Sequence, residues 1–318
     1  MLLPLLMALS LAAPPEPPIL KQPAAAWRHR RTPFLVLGSG APNHRGQDVV
    51  VAQGAPQVLN AKFAYGLIDK DLKDEDVAVY VRTAAGWKDL GVARTTQDGQ
   101  NGPDDDGGRV FLTLAKPLPA GRWPVRMVVL GDHSQASFTL YVVPKGVQAV
   151  VFDIDGTLTT GDEEIVLQVL GDLADKKYVP KVHSGAAAVA KAWVAKGYLP
   201  VYLTGRPDVL RRVTDEWLAQ EGFPAGPVHL TDTLGEAAPN AEGVGRFKAA
   251  FLERLRPIVG LVAAYGNATT DISAYAAAGI PKARTFIIGK HAGEGGTVAL
   301  PSYDPAAVNA IPKANVRW

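Results

Sequence analysis

The 318-residue chain has no cysteine at all. Disulfide staples, thiolate nucleophiles and cysteine-ligated zinc or iron–sulfur centres are therefore excluded. It also lacks a strong excess of either charge. The formal net charge is +2 and no long basic run is present, so nothing argues for a nucleic-acid partner. Past the first residues there is no apolar stretch of the roughly 18 residues that a membrane-crossing helix needs. What remains is a globular balance, 47% apolar and 20% charged, in a chain long enough for two domains with cores of their own.

The first residues, MLLPLLMALSLAAPPEPP, are apolar from Leu2 to Ala13 and then proline-rich. That run matches the apolar core of a signal peptide and is too short to span a bilayer. Ser10-Leu11-Ala12 offers small residues at the spacing a signal peptidase reads, although no Lys or Arg precedes the run. Residues 1–13 are thus expected to be a signal peptide, and the protein exported (periplasmic or secreted) and peripheral to a membrane at most. Residues 14–46 read as a linker rich in Pro and Ala. It contains the basic patch Trp27, Arg28, His29, Arg30, Arg31, which suits either solvent or anionic lipid.

Between residues 47 and 145 the texture is that of short alternating runs punctuated by Gly, Asp and Pro. DVVVAQG, LNAKFAYG, DVAVYVRT, DLGVART, RVFLTL, PVRMVVL and SFTLYVV each suit a half-buried strand. Strands at this spacing predict an antiparallel β-sandwich of immunoglobulin-like type. The loop DGQNGPDDDGG has carboxylates enough for calcium but not the spacing of a calcium loop, and reads better as a hairpin turn. From residue 146 to 318 strands and helices alternate: QAVVF, GAAAVAKAWVAKG, PVYLT, PDVLRRVTDEWLAQEG, PVHL, FKAAFLERL, LVAAYG, TDISAYAAAG and TFIIG. This order predicts an α/β domain, a Rossmann-like parallel sheet whose site lies at the carboxyl ends of its strands.

Four elements in that domain carry chemistry. Asp153-Ile154-Asp155-Gly156-Thr157 follows the apolar run Val150–Phe152. Two carboxylates this close at a strand end repel each other unless a dication relieves them. Asp153 is the candidate nucleophile and Asp155 the candidate acid–base group. Thr204-Gly205 ends the strand PVYLT and suits phosphate oxygens, as does the point charge of Lys248. Asn267 and Asp271, after LVAAYG, add hard oxygen donors, so the expected magnesium set is Asp153, the backbone carbonyl of Asp155, Asn267 and Asp271. Each element alone is commonplace: a turn, a strand end, a solvated lysine, a helix cap. The ordered set is not.

DIDGTLT, YLTGRP, FKAAFL and GNATTD resemble the four motifs of the haloacid dehalogenase superfamily, and GNATTDISAYAAAGIP is similar to the lipin/Ned/Smp domain within it. Asn267 departs from the wider superfamily, which has Asp there. HRGQDVVVAQG, AKFAYGLIDKDL, PVRMVVLGDHS and GYLPVYLTGRPDVLRRVTDEWLAQEGFPAG extend a resemblance, over residues 44–290, to the C-terminal region of membrane-associated phosphatidylinositol transfer proteins, the retinal degeneration B family. The resemblance implies a phosphatidate ligand. In that family the region binds phosphatidic acid and the nucleophile aspartate is replaced, whereas Asp153 is present here.

The expectation is accordingly a magnesium-dependent phosphatase acting through an aspartyl-phosphate on phosphatidic acid or a related phospholipid monoester. The alternatives are a phosphatidate-binding module without turnover and a soluble phosphomonoesterase. The small lid segment 160–181 leaves no room for a large cap, which favours a lipid headgroup at a surface. Arg206, Arg211 and Arg212 near a strand end are expected to add attraction to an anionic surface.

Overall fold

The structure is a computed structural model that describes residues 16–66, 68–102, 105–161, 179–231 and 241–318. The first domain packs two sheets. One contains β1 (Arg45–Gly46), β3 (Val58–Lys62) and β8 (Arg109–Thr113). The other contains β2 (Val49–Ala52), β6 (Asp76–Thr83), β7 (Gly86–Arg94), β9 (Gly121–Val129) and β10 (Gln135–Val143), in the order β2-β10-β9-β6-β7. A short hairpin joins β4 (Ala64–Tyr65) to β5 (Lys70–Asp71). The alternation DVAVYVRT buries Val77, Val79 and Val81 in the core between the sheets, with Leu59, Val110, Met127 and Leu140. The sandwich is not wholly antiparallel: β2 runs parallel to β10. Strand β2 reaches the sheet from a separate segment and takes the edge beside the domain's last strand, a pairing no local pattern encodes.

The stretch expected as a linker is folded onto this sandwich. Helix α1 (Thr32–Ser39) starts with Pro33 in its first turn, and the buried carboxylate of Glu75 holds its start. Glu75 accepts hydrogen bonds from Arg28 N–H (2.9 Å), His29 N–H (3.2 Å) and the Thr32 hydroxyl (2.6 Å). The expected signal peptide lies outside the described residues, as does most of the expected lid. Around the loop at 98–108, Asp105 accepts from Thr96, Asn101 and the Gly107 amide, which is turn chemistry rather than a calcium loop.

The second domain is a six-stranded parallel sheet. It contains β11 (Gln148–Asp153), β12 (Leu199–Pro207), β13 (Val228–Thr231), β14 (Gly260–Gly266), β15 (Thr285–Ile287) and β16 (Val298–Ala299), in the order β13-β12-β11-β14-β15-β16. Helices α2 (Ala186–Ala195), α3 (Arg211–Gln220), α4 (Ala241–Leu255) and α5 (Thr269–Ala277) alternate with the strands. One cluster of buried side chains, with Trp193, Phe152 and Tyr265, and another, with Val151, Leu203, Phe251 and Tyr275, form its apolar cores. β11 is central and pairs in parallel with both β12 and β14. The strand order reverses there, which opens a crevice at the carboxyl end of β11.

Candidate phosphate-binding site

That crevice gathers the four sequence elements. Asp153 is the last residue of β11 and is buried. The chain then turns at Gly156, whose φ of +69° is a left-handed conformation that a side chain would strain. The Gly156 amide donates to Thr159 Oγ1 (2.9 Å), and Tyr303 donates to the Thr157 carbonyl (2.8 Å), so the turn is fixed from inside and from the C-terminal segment. Lys248, on α4, donates to Asp153 Oδ1 (2.6 Å) and to Asp271 Oδ1 (2.7 Å). Asp271 lies in the first turn of α5, and its other oxygen accepts from the backbone N–H of Asn267 (3.0 Å) and Ala268 (3.1 Å). A Cβ on Gly266 would come within 2.7 Å of the Asp271 side chain, so only glycine lets the strand pass this close.

Burial pushes the Asp153 carboxyl up to about 7, against the opposing pull of Lys248. Burial alone would lower the Lys248 ammonium, but Asp153 and Asp271 outweigh it and hold the amine above its ordinary range. Thr157, fully buried, donates from its hydroxyl to Asp153 Oδ2 (2.8 Å) and meets Asn267 Oδ1 at 3.2 Å. The Asp155 side chain faces another way. Its oxygens take the Arg206 guanidinium at 2.8–3.1 Å and the Thr204 hydroxyl at 2.7 Å.

The structure thus brings Asp153, Lys248, Asn267 and Asp271 into one buried cluster. Thr204 and Asp155 join each other and Arg206. Gly205 lies between Thr204 and Arg206 on the same strand. Among the expected metal ligands, Asp153 Oδ2 and Asn267 Oδ1 converge on the Thr157 hydroxyl. Both Asp271 oxygens are taken by Lys248 and backbone amides, and the Asp155 carboxylate is taken by Arg206 while its carbonyl was the expected donor. Among the described residues no three His, Cys, Asp or Glu side chains stand ready for a metal ion.

Two participants have no role in the site from sequence alone. Thr157 was read only as part of a motif, although its place two residues after Asp155 is the available signal. Arg206 was expected at an anionic surface, and that expectation is corrected: Arg206 is 0% exposed and ion-paired to Asp155. Arg211 is likewise buried, against Asp48 and Asp215, and exposed Arg212 pairs with Glu216. The charges of Arg206 and Arg211 are consumed inside the molecule because each finds a carboxylate within reach, whereas Arg212 faces solvent.

Residues 42–142 match the family model of the PITM 1-3 beta-sandwich domain, and residues 150–289 that of the PITM 1-3 LNS2 domain. Both domains belong to the PITM 1-3 family. Rat membrane-associated phosphatidylinositol transfer protein 1 is 38% identical over 278 residues, 84% of this chain. Mouse membrane-associated phosphatidylinositol transfer protein 3 is 34% identical over 276 residues, and the Drosophila melanogaster protein retinal degeneration B 35% over 277. The chain spans 20% of the rat relative and 26% of the mouse one, so the match concerns one region of longer proteins.

These PITM 1-3 relatives overturn two expectations. The rat and mouse proteins are named for phosphatidylinositol transfer, not for hydrolysis, which corrects the expectation of a phosphatase. The presence of Asp153 was the main ground for turnover, and in the structure that carboxylate is neutralised by Lys248 while Asp155 is locked to Arg206. The same two proteins are also named as membrane-associated, which corrects the expected export. Among the described residues no helix is long and apolar enough to cross a membrane.

Proposed function

We propose that this chain is a phospholipid-binding region in which the strand-end cluster of the LNS2 domain holds the phosphate of a phosphomonoester headgroup, phosphatidate first among candidates, without turning it over. The observation that carries this reading is the way the acidic groups are tied. Asp155 spends both oxygens on Arg206 and Thr204, so carrying a proton to a leaving group would require breaking a paired, buried contact. Lys248 has three N–H bonds, of which two go to Asp153 and Asp271, leaving one for an anion at the mouth of the crevice. The Thr157 hydroxyl and the Thr204-Gly205 segment flank the same strand ends.

The buried cluster sets Asp153 and Asp271 against Lys248 while Asp155 and Arg206 cancel each other, which leaves up to one negative charge in excess. A phosphate dianion therefore needs further positive charge, and magnesium is the proposed supplier. Asp153 and Asn267 would hold it in exchange for the Thr157 hydroxyl on which their oxygens converge. When bound it would neutralise phosphate oxygens.

The test is binding of the full chain to phosphatidylcholine vesicles with and without phosphatidate, with and without chelator, alongside a phosphate-release assay. Phosphatidate should raise binding, chelator should reduce that increment, and Thr157→Val should weaken it roughly tenfold, as expected for a lost hydrogen bond to a charged centre. Sustained release of inorganic phosphate, or equal binding to vesicles carrying diacylglycerol in place of phosphatidate, would overturn the reading.

A further inference from the structure

Three of the most exposed large apolar side chains among the described residues lie on α1 and just beyond the Gly66 against which its end packs: Phe34 (76% exposed), Leu37 (86%) and Ile68 (84%). Phe34 and Leu37 are three residues apart on α1 and so share a face, while Val36 turns inward onto the sandwich core. The end of α1 is pressed onto the turn that carries Ile68. The Gly66 amide donates to the Ala41 carbonyl (2.8 Å), and a Cβ on Gly66 would lie 1.8 Å from the Ser39 carbonyl oxygen.

Basic residues flank this face. Arg30, Arg31 and Lys70 are exposed. Among the described residues no ion pair or side-chain hydrogen bond engages Arg30 or Arg31. A hollow of about 260 Å³ between α1 and β5 is lined by His29, Arg31, Leu35, Lys70 and Lys73, with Asp71 as its acidic member. Exposed apolar side chains rimmed by cations match the two-part chemistry of a bilayer surface: acyl boundary below, anionic headgroups above.

We propose that α1 and the neighbouring residues Ile68 and Lys70 form the surface by which this chain docks on an anionic phospholipid bilayer, with Phe34, Leu37 and Ile68 entering the acyl boundary and Arg30, Arg31 and Lys70 meeting headgroups. This deepens the phospholipid reading above and rests on it for the purpose of docking. The surface is wired to the phosphate site. Asp69, next to Ile68, holds Arg45 through two contacts of 2.6 Å. Arg45 Nε meets Asp208 Oδ2 at 3.0 Å, and Asp208 stands two residues after the Arg206 that fixes Asp155. The docking face and the strand end that carries Arg206 are thus linked by consecutive ion pairs.

The test is flotation of the full chain with phosphatidylcholine vesicles containing phosphatidylserine but no phosphatidate. The double variant Phe34→Ser/Leu37→Ser should bind roughly tenfold or more weakly, because two side chains lose their burial in the bilayer. Arg30→Gln/Arg31→Gln should also bind roughly tenfold or more weakly and lose much of the salt dependence. Both variants should keep the wild-type melting temperature and wild-type affinity for monomeric short-chain phosphatidate. Unchanged vesicle binding by the apolar double variant would overturn the proposal. So would a lipid-free dimer that the same variant dissociates, because the face would then join two copies. Loss of short-chain phosphatidate binding by the wild type would instead sink the headgroup site and leave the docking surface standing.

Discussion

The imidazole of His229 lies flat against Phe247 (centroids 5.2 Å apart) and Phe251 (3.9 Å), and neither ring nitrogen has a hydrogen-bond partner. Burial, aided by Arg254 and Arg211, depresses its pKa to about 3. A base depressed in this way is neutral when folded, while the unfolded chain takes up a proton below about 6.5. The unfolded state then binds more protons, so the stabilisation is complete above about pH 6.5 and is lost as pH falls toward 3. Between pH 6.5 and 5 the loss from this residue should be about 2 kcal/mol. His229→Phe, which keeps the ring stack, should remove that part of the slope in urea titrations at the two pH values, leaving the part due to His44, which burial depresses to about 4. An unchanged slope would mean that His229 is protonated in the folded state. Lys248 makes the opposite case, a buried cation that two carboxylates require. Lys248→Met should cost about 3 kcal/mol or more, because Asp153 and Asp271 would be left buried without their counter-charge. Urea unfolding of the variant near pH 7 measures that loss.

At the scale of elements, Glu75 governs whether residues 28–39 stay on the sandwich. Glu75→Ala should leave two backbone amides and the Thr32 hydroxyl without their acceptor and weaken the attachment by about 1–3 kcal/mol. Trypsin should then cut at Arg30 and Arg31 well before the rest of the chain, with the main unfolding transition little changed. Resistance equal to wild type would show that Val36 and Trp27 suffice to hold the segment. Glu75 is more than forty positions from the residues it anchors, which is why this region reads as a linker in the sequence: its helix depends on a distant carboxylate, not on a local period. The same distinction runs through the fold. β6, β8, β9 and β10 were legible because β-branched and aromatic residues alternate along them, and β11, β12 and β14 because buried parallel strands are continuous apolar runs. β1, β5 and β16 have two residues each and no period to detect. At the site, Asp153, Lys248, Asn267 and Asp271 were legible as a set because each follows or faces a strand end in chain order. The pairing of Asp155 with Arg206 was not, since a strand of mixed polarity at 204–207 says nothing of which carboxylate its arginine will meet.

At the scale of the whole molecule, the two domains share a seam that sequence alone divides at residue 145. Gln47 donates from its side chain to the Leu230 carbonyl (3.0 Å), and Asp48 accepts from the amides of Val228 (2.9 Å) and Thr139 (2.7 Å). Two consecutive residues of the sandwich thus cover the open edge of β13 and occupy backbone groups that would otherwise invite another strand. Arg211, at the start of α3, binds Asp48 at 2.9 Å and donates to the Gly46 and Val228 carbonyls. Burial would lower the Arg211 guanidinium, but Asp48 and Asp215 hold it above its ordinary value, so it stays charged throughout the stable range. Apolar packing follows the same line: Tyr141 and Val143 of β10 belong to one buried cluster with Val147, Val151 and Leu203, and Trp318 comes to 6.0 Å from Tyr141. Domains joined by a shared core and a buried ion pair should unfold together. Trp123 reports on the sandwich, Trp193 and Trp217 on the parallel-sheet domain. With single-tryptophan variants, their urea transitions should coincide in the otherwise native chain. Arg211→Met removes the cation that Asp48 faces across the seam and should cost about 3 kcal/mol or more. Because that loss falls on the joint rather than on either core, the two sets of probes should then separate, with the parallel-sheet domain unfolding first at its uncovered β13 edge. Coincident transitions in Arg211→Met would mean that the shared apolar cluster alone couples the domains. Separate transitions before any substitution would mean that the seam does not couple them at all.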